Sequence, residues 1–241
     1  MADISIAPSE QALIPPLERG DNLGAVEFLR RYEAMPDVKK AELIEGTVFL
    51  ASPFVPAVHG DSHSLMQGWL GVYAARTPGT QAAGRATVRL GPKNVPQPDV
   101  LLRILPECGG RTRLDASGLL LGPPELIVEV AASSVAIDLH QKLRAYRRAG
   151  VREYLVWRPL DRQFDWFILD KDEYRCNTPA SPGVLRSPHF PGLALAVDAL
   201  LNDDSAKVLD VLQTSLQSPP HAAFVAQLAA KARKKRMKDE G

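Results

Sequence analysis

Asp99 and Glu129 are the residues whose surroundings call for a chemical explanation. Glu129 lies in Glu-Leu-Ile-Val-Glu-Val-Ala, residues 125–131, a nearly continuous apolar run of the kind that forms a central strand covered on both faces. A buried carboxylate without a partner is costly, so Glu129 should meet a cation, a basic side chain or a metal. The plain alternatives are an internal salt bridge or exposure at a strand end. Asp99 follows Pro98 at the start of a second apolar run, residues 98–105, and the proline biases Gln97 toward extended backbone. Taken alone, Asp99 could be a turn aspartate bonded to water or a backbone amide.

Lys142 joins the pair through the next element. A helix is predicted over 135–149, capped by Ser133 or Ser134 and closed by Gly150. Helical side chains lean toward their own N-terminus, so Lys142 can reach back over the strand end that carries Glu129. Asp138, four residues earlier, can orient it; an exposed i,i+4 pair is the alternative. Glu45 precedes Gly46 at the tip of a predicted hairpin over 42–51, where a turn carboxylate is the default. His59 opens a helix predicted over 57–76, with His63 one turn later. No Glu-x-x pattern links these histidines as in zinc peptidases, so His59 reads as a substrate-phosphate contact or a structural hydrogen bonder.

Basic residues cluster in two places. From Lys142 to Arg152 there are five basic residues and no acidic one, and residues 231–238 add six more. Such positions bind phosphodiester backbones, which makes Arg144 and Arg147 candidate substrate contacts; a solvated helix face or tail is the alternative reading.

The elements that must position these groups come from a chain of 241 residues with 45% hydrophobic and 24% charged residues, enough for a substantial core. That balance excludes a wholly disordered chain, a collagen-like repeat and a disulfide-held miniprotein. The 29 Lys and Arg against 28 Asp and Glu name no partner by global charge. The two cysteines, Cys108 and Cys176, make no zinc-like spacing and suit a reducing cytoplasm. No secretory signal opens the sequence, and no apolar stretch approaches the ~20 residues a membrane span needs.

Residues 1–20, with three prolines, read as a flexible leader. A short helix follows Asp21-Asn22 and stops at Pro36. Strands are expected over 85–90, 98–105, 125–131, 152–157 and 163–169. The strand, helix, strand order around 125–157 is a crossover unit, which favours a parallel pair. Helices over 203–216 and 220–236, separated by Pro219-Pro220, complete the chain. The expected plan is one α/β domain over 21–201 with a helical, basic extension over 202–241.

In this order the segments resemble the Uma-type restriction endonucleases, a branch of the PD-(D/E)XK nuclease superfamily. The likeness runs from about Tyr32 to Leu201. It is carried by Glu42-Leu-Ile-Glu45-Gly46, His59, Gln97-Pro98-Asp99-Val100, Pro124-Glu-Leu-Ile-Val-Glu129-Val130, Asp138-x-x-x-Lys142, Tyr146 and Gly150-Val-Arg-Glu-Tyr154. The resemblance implies a restriction-endonuclease-like core, a mixed β-sheet flanked by helices, and a divalent-metal nuclease site. Asp99 matches the first acidic position and Glu129 the second. The lysine that usually follows two residues on would fall at Ala131, and Lys142 matches its displaced position on the next helix. Glu45 matches an early glutamate. The chain departs from the family at Ala131-Ala-Ser-Ser134, and at Leu155 and Arg158, where a Trp and an Asp are usual.

On that resemblance, Asp99, Glu129 and the carbonyl of Val130 hold Mg²⁺ or Mn²⁺ for hydrolysis of DNA, and Lys142 positions the attacking water or offsets charge on the phosphorane. Glu45 binds through water or supports a second ion. A lone site makes one nick per visit, so double-strand cleavage would favour a homodimer. The rival readings are a nucleic-acid-binding module that does not cleave, and an assembly protein whose acids form a structural ion network.

Overall fold

Alternation along two strands divides the core. In Val100–Ile104 and Leu126–Val130 every residue is buried, and successive side chains point to opposite faces of the sheet. Val100, Leu102, Leu126, Val128 and Val130 pack with Trp69, Leu70 and Tyr73 on one face. Leu101 and Ile127 pack with Tyr146 and Tyr154 on the other. These observations come from a computed structural model that describes residues 14–51, 57–132, 134–178 and 183–239, the side chains of 57–59 excepted.

In chain order the first half contains α1 (Ala25–Glu33), β1 (Ala41–Ile44), β2 (Thr47–Leu50), α2 (Ala57–Arg76), β3 (Thr80–Gly84), β4 (Val88–Arg89), β5 (Val100–Ile104), β6 (Arg113–Leu114), β7 (Leu120–Leu121) and β8 (Leu126–Val130). The second half contains α3 (Leu143–Ala149), β9 (Glu153–Arg158), β10 (Gln163–Asp170), β11 (Glu173–Cys176), β12 (Val184–Arg186), β13 (Ala194–Ala196), α4 (Val197–Leu201), α5 (Ser205–Leu216) and α6 (Pro219–Asp239). A 3₁₀ turn, Pro106–Cys108, follows β5, and a π-helical segment, Ile137–Lys142, leads into α3.

The main sheet has six strands in the order β11-β10-β9-β8-β5-β3. Only β8 and β9 run parallel, joined by the crossover through α3; the other neighbours are antiparallel. This is the mixed, helix-flanked sheet expected from the sequence. The β1–β2 hairpin stands outside it, and the Leu43–Val95 bridge ties it to the segment that leads into β5.

Several local differences have physical causes. The expected strand over 85–90 is reduced to β4, which pairs with β7 in a small separate sheet. The edge strand of the main sheet is β3 instead, and Arg85 at φ 53° breaks the chain between the two. The helix predicted over 135–149 is π-helical over its first part, a widening that recurs at functional sites. Pro219 and Pro220 fall in the first turn of α6, where a missing N–H costs nothing, so they start the helix rather than merely precede it. Residues 205–239 are anchored in the main core, with Val208, Leu212 and Leu228 buried in the same cluster as Trp69. The leader proposed over 1–20 lies outside the described residues as far as residue 13, whereas Leu17 is buried against α1 and the hairpin.

Candidate active site

The register of β5 against β8 pairs Val100 with Val128 and Leu101 with Ile127. Continued by one residue, it sets Asp99 beside Glu129, and strand alternation aims both toward the face that carries α3. The main chain closes the contact: Val130 N–H donates to Asp99 Oδ2 at 2.9 Å. The Val130 carbonyl accepts the N–H of Ala132 at 3.2 Å, and His63 Nε2 is 2.9 Å from the Asp99 carbonyl. Asp99 and Glu129 are 4% and 2% exposed, so their charges are withdrawn from water.

Two lysines answer them. Lys142 Nζ lies 2.9 Å from Glu129 Oε1, 3.0 Å from Glu42 Oε2 and 3.4 Å from Asp138 Oδ1. Lys40 Nζ lies 3.1 Å from Asp99 Oδ1 and, a quarter exposed, is where the cluster meets solvent. Tyr146 donates its hydroxyl to Glu129 Oε1 at 2.8 Å. Glu42 is fixed by its other oxygen, which accepts the Gln97 N–H at 2.7 Å. Asp138 accepts Ser134 Oγ–H at 2.5 Å on Oδ2, while its buried Oδ1 has no hydrogen bond and only the longer approach of Lys142.

Burial sets the electrostatics. It pushes the Glu129 carboxyl up to about 8 against the pull of Lys142, with Asp99 and Asp138 adding to the rise. Burial also raises Asp138, again opposed by Lys142. For Lys142 burial works against the charge, but Glu129, Glu42 and Asp138 outweigh it and hold the ammonium well above its ordinary range. Burial keeps Tyr146 a neutral hydroxyl and therefore a donor.

The other expected site residues fall elsewhere. Glu45, at φ 52° on the hairpin tip, pairs with Arg144 at 2.9 Å and Arg148 at 2.8 Å, and makes no ion pair with the cluster among the described residues. Arg147 pairs with Glu173 on β11. The His59 side chain lies outside the described residues. Sequence reasoning missed Glu42 and Lys40. The signal for Glu42 was the one that singled out Glu129, a carboxylate inside a strand buried at all of its positions.

A hard divalent cation can be tested against these groups. Four carboxyl groups, from Glu42, Asp99, Glu129 and Asp138, meet two ammonium groups, from Lys40 and Lys142. The acid excess is held partly as protons, as the raised Glu129 and Asp138 indicate, and Asp138 Oδ1 lacks a donor. Among the described residues no three His, Cys, Asp or Glu side chains form a metal cage. The donor set is all oxygen, the chemistry that suits a hard ion taking few protein ligands and keeping several waters.

Residues 25–198 match the model of the Uma2 family, described as "Putative restriction endonuclease". The chain belongs to the Uma2 family. A solved structure from Anabaena variabilis ATCC 29413, titled as a "putative nuclease belonging to DUF820", superposes with a TM-score of 0.55 at 14% identity, covering 72% of this chain and 97% of that one. The likeness shows a shared fold. No curated protein matches the chain. Uma2 membership places the protein among nucleases, with nucleic acid as substrate class, and bears out the resemblance read from its motifs. Among the described residues no helix is long and apolar enough to cross a membrane.

Proposed function

We propose that this chain is an endonuclease that hydrolyses DNA phosphodiester bonds with a divalent cation, Mg²⁺ or Mn²⁺. The observation that carries the reading is the meeting of Asp99 and Glu129, from neighbouring strands, with Lys142 from the following helical segment. Asp99, Glu129 and the Val130 carbonyl are the groups that would hold the ion. When bound, it supplies a Lewis acid for the phosphate and a lowered pKa for water.

The chain's own residues prepare that site. Val130 N–H fixes the Asp99 carboxylate, and the Tyr146 hydroxyl fixes that of Glu129. Lys142 holds a permanent positive charge beside them, suited to stabilising negative charge that develops on a phosphoryl group. The raised Glu129 holds a proton that it must release before it can act as an anionic ligand. Arg144 and Arg148, at the surface beside this segment, are suited to backbone phosphates once released from Glu45.

Nicking of supercoiled plasmid in Mg²⁺ or Mn²⁺ tests the proposal. Wild type is expected to nick, and Asp99→Ala and Glu129→Ala to fail while remaining folded by circular dichroism. Equal cleavage by all three overturns the assignment. One observation favours a second reading, a structural ion network: Lys142 alone approaches three carboxylates. In that case Glu129→Gln shifts the melting temperature, and Mn²⁺ shifts nothing and gives no heat on titration.

A further inference from the structure

Residues 231–238, Lys-Ala-Arg-Lys-Lys-Arg-Met-Lys, form the outer part of α6. The inner part is anchored. His221 and Leu228 are buried, and His221 Nε2 lies 3.0 Å from Thr77 Oγ1. Lys231 passes over Gly109, just beyond the 3₁₀ turn that holds Glu107, without an ion pair to it. From Lys231 onward the six cations of this segment are exposed, and none forms an ion pair among the described residues. No Asp or Glu occurs anywhere from 211 to 238.

The arrangement is unfavourable for the helix alone. Lys231, Lys234, Lys235 and Lys238 recur at i, i+3, i+4 and i+7, and like charges at such spacings each cost a helix a few tenths of a kcal/mol. The helix C-terminus favours cations and offsets part of this cost, but of the acidic partners one turn away that would remove it α6 supplies only Asp239, at its last residue. A polyanion relieves the repulsion. A lipid surface fits less well, because an interfacial helix needs a broad apolar face, and Met237 is the one large apolar side chain exposed on this segment.

Position separates this stripe from the site. Asp99 immediately precedes β5 and the 3₁₀ turn beneath α6 follows it, so the strand's length, about 17 Å, lies between them. The segment also lies outside residues 25–198, the span of the Uma2 match.

We propose that the lysine stripe of α6 is a second nucleic-acid contact, gripping phosphate backbone away from the Asp99–Glu129 site and tethering the substrate. The choice of nucleic acid among polyanions rests on the nuclease reading. The test is fluorescence anisotropy of a labelled DNA duplex in chelator, across a range of NaCl concentrations. It compares wild type with the full-length quadruple variant Lys231→Gln, Lys234→Gln, Lys235→Gln, Lys238→Gln. All four lysines are exposed, so the variant is expected to keep the wild-type melting temperature. Its slope of log affinity against log salt should be shallower by about 3–4, since each phosphate a lysine neutralises adds about 0.9 to the slope. An unchanged slope in the folded variant overturns the proposal. So does stripe-dependent binding to phosphatidylserine vesicles without binding to the duplex. Because cleavage is not scored, a protein that binds through the stripe but never nicks in Mn²⁺ defeats the nuclease reading alone.

Discussion

The Lys142 ammonium lies 2.9 Å from Glu129 Oε1, both side chains buried and supplied by different elements of one crossover unit. Removing one partner of a buried pair leaves the other uncompensated. Lys142→Met should therefore destabilise the protein by about 3–5 kcal/mol in urea melts above about pH 8, where Glu129 is ionised. The loss should shrink as pH falls through about 8, where Glu129 takes up a proton and no longer needs the cation. A constant loss across pH would show that packing, not charge, is the role of Lys142.

Glu129 makes stability itself depend on pH. Its folded carboxyl is raised to about 8 from an ordinary value of 4.5, so between these values the folded chain binds a proton that the unfolded chain lacks. Stability from this group is fully present below 4.5 and is lost as pH rises through about 8. In chelator, the wild-type melting temperature should fall across that window, and Glu129→Gln should flatten the fall. Parallel curves for the two proteins would contradict the raised carboxyl.

Glu42 and Glu45, three residues apart on one hairpin, should separate in function. Glu42→Gln keeps an oxygen for Gln97 N–H but removes charge beside Lys142, and should lower plasmid nicking about 10–100-fold, the scale for groups that orient metal ligands. Glu45→Gln breaks only surface pairs with Arg144 and Arg148, and should leave nicking unimpaired. The reverse order of effects would return the early glutamate to Glu45.

Leu228 tests whether α6 belongs to the folded core. It is fully buried in the cluster that also holds Trp69 and Val208. Leu228→Ala should cost about 2–5 kcal/mol in chemical denaturation. A cost near zero would mean that the helix docks loosely.

Much of this was legible in the residues themselves. The runs around Asp99 and Glu129 announced buried central strands, and Glu129 was conspicuous because its apolar neighbours on both sides make an unpartnered carboxylate costly. The order strand, helix, strand over 125–157 predicted the parallel β8–β9 pair that the sheet contains. Lys40 was less visible. It sits just before β1, in a segment that reads as a solvated approach to a hairpin, and its partner Asp99 lies 59 residues away. Glu45 drew notice instead of Glu42 because it matches the early glutamate of the family the segments resemble, while burial of the whole hairpin strand is a fact of packing.

The sequence by itself determined most of the segments that form strands or helices and marked Glu129 as an acid that must be answered, because periodicity and desolvation act locally along the chain. Tertiary structure decided which cation answers which acid. The β5–β8 register sets Asp99 beside Glu129, the separate β1–β2 hairpin brings in Glu42 and Lys40, and the π-helical segment carries Asp138 and Lys142 onto the same point. Coulomb attraction and the cost of burying charge depend on distances in space, and those exist only once the strands have chosen their neighbours.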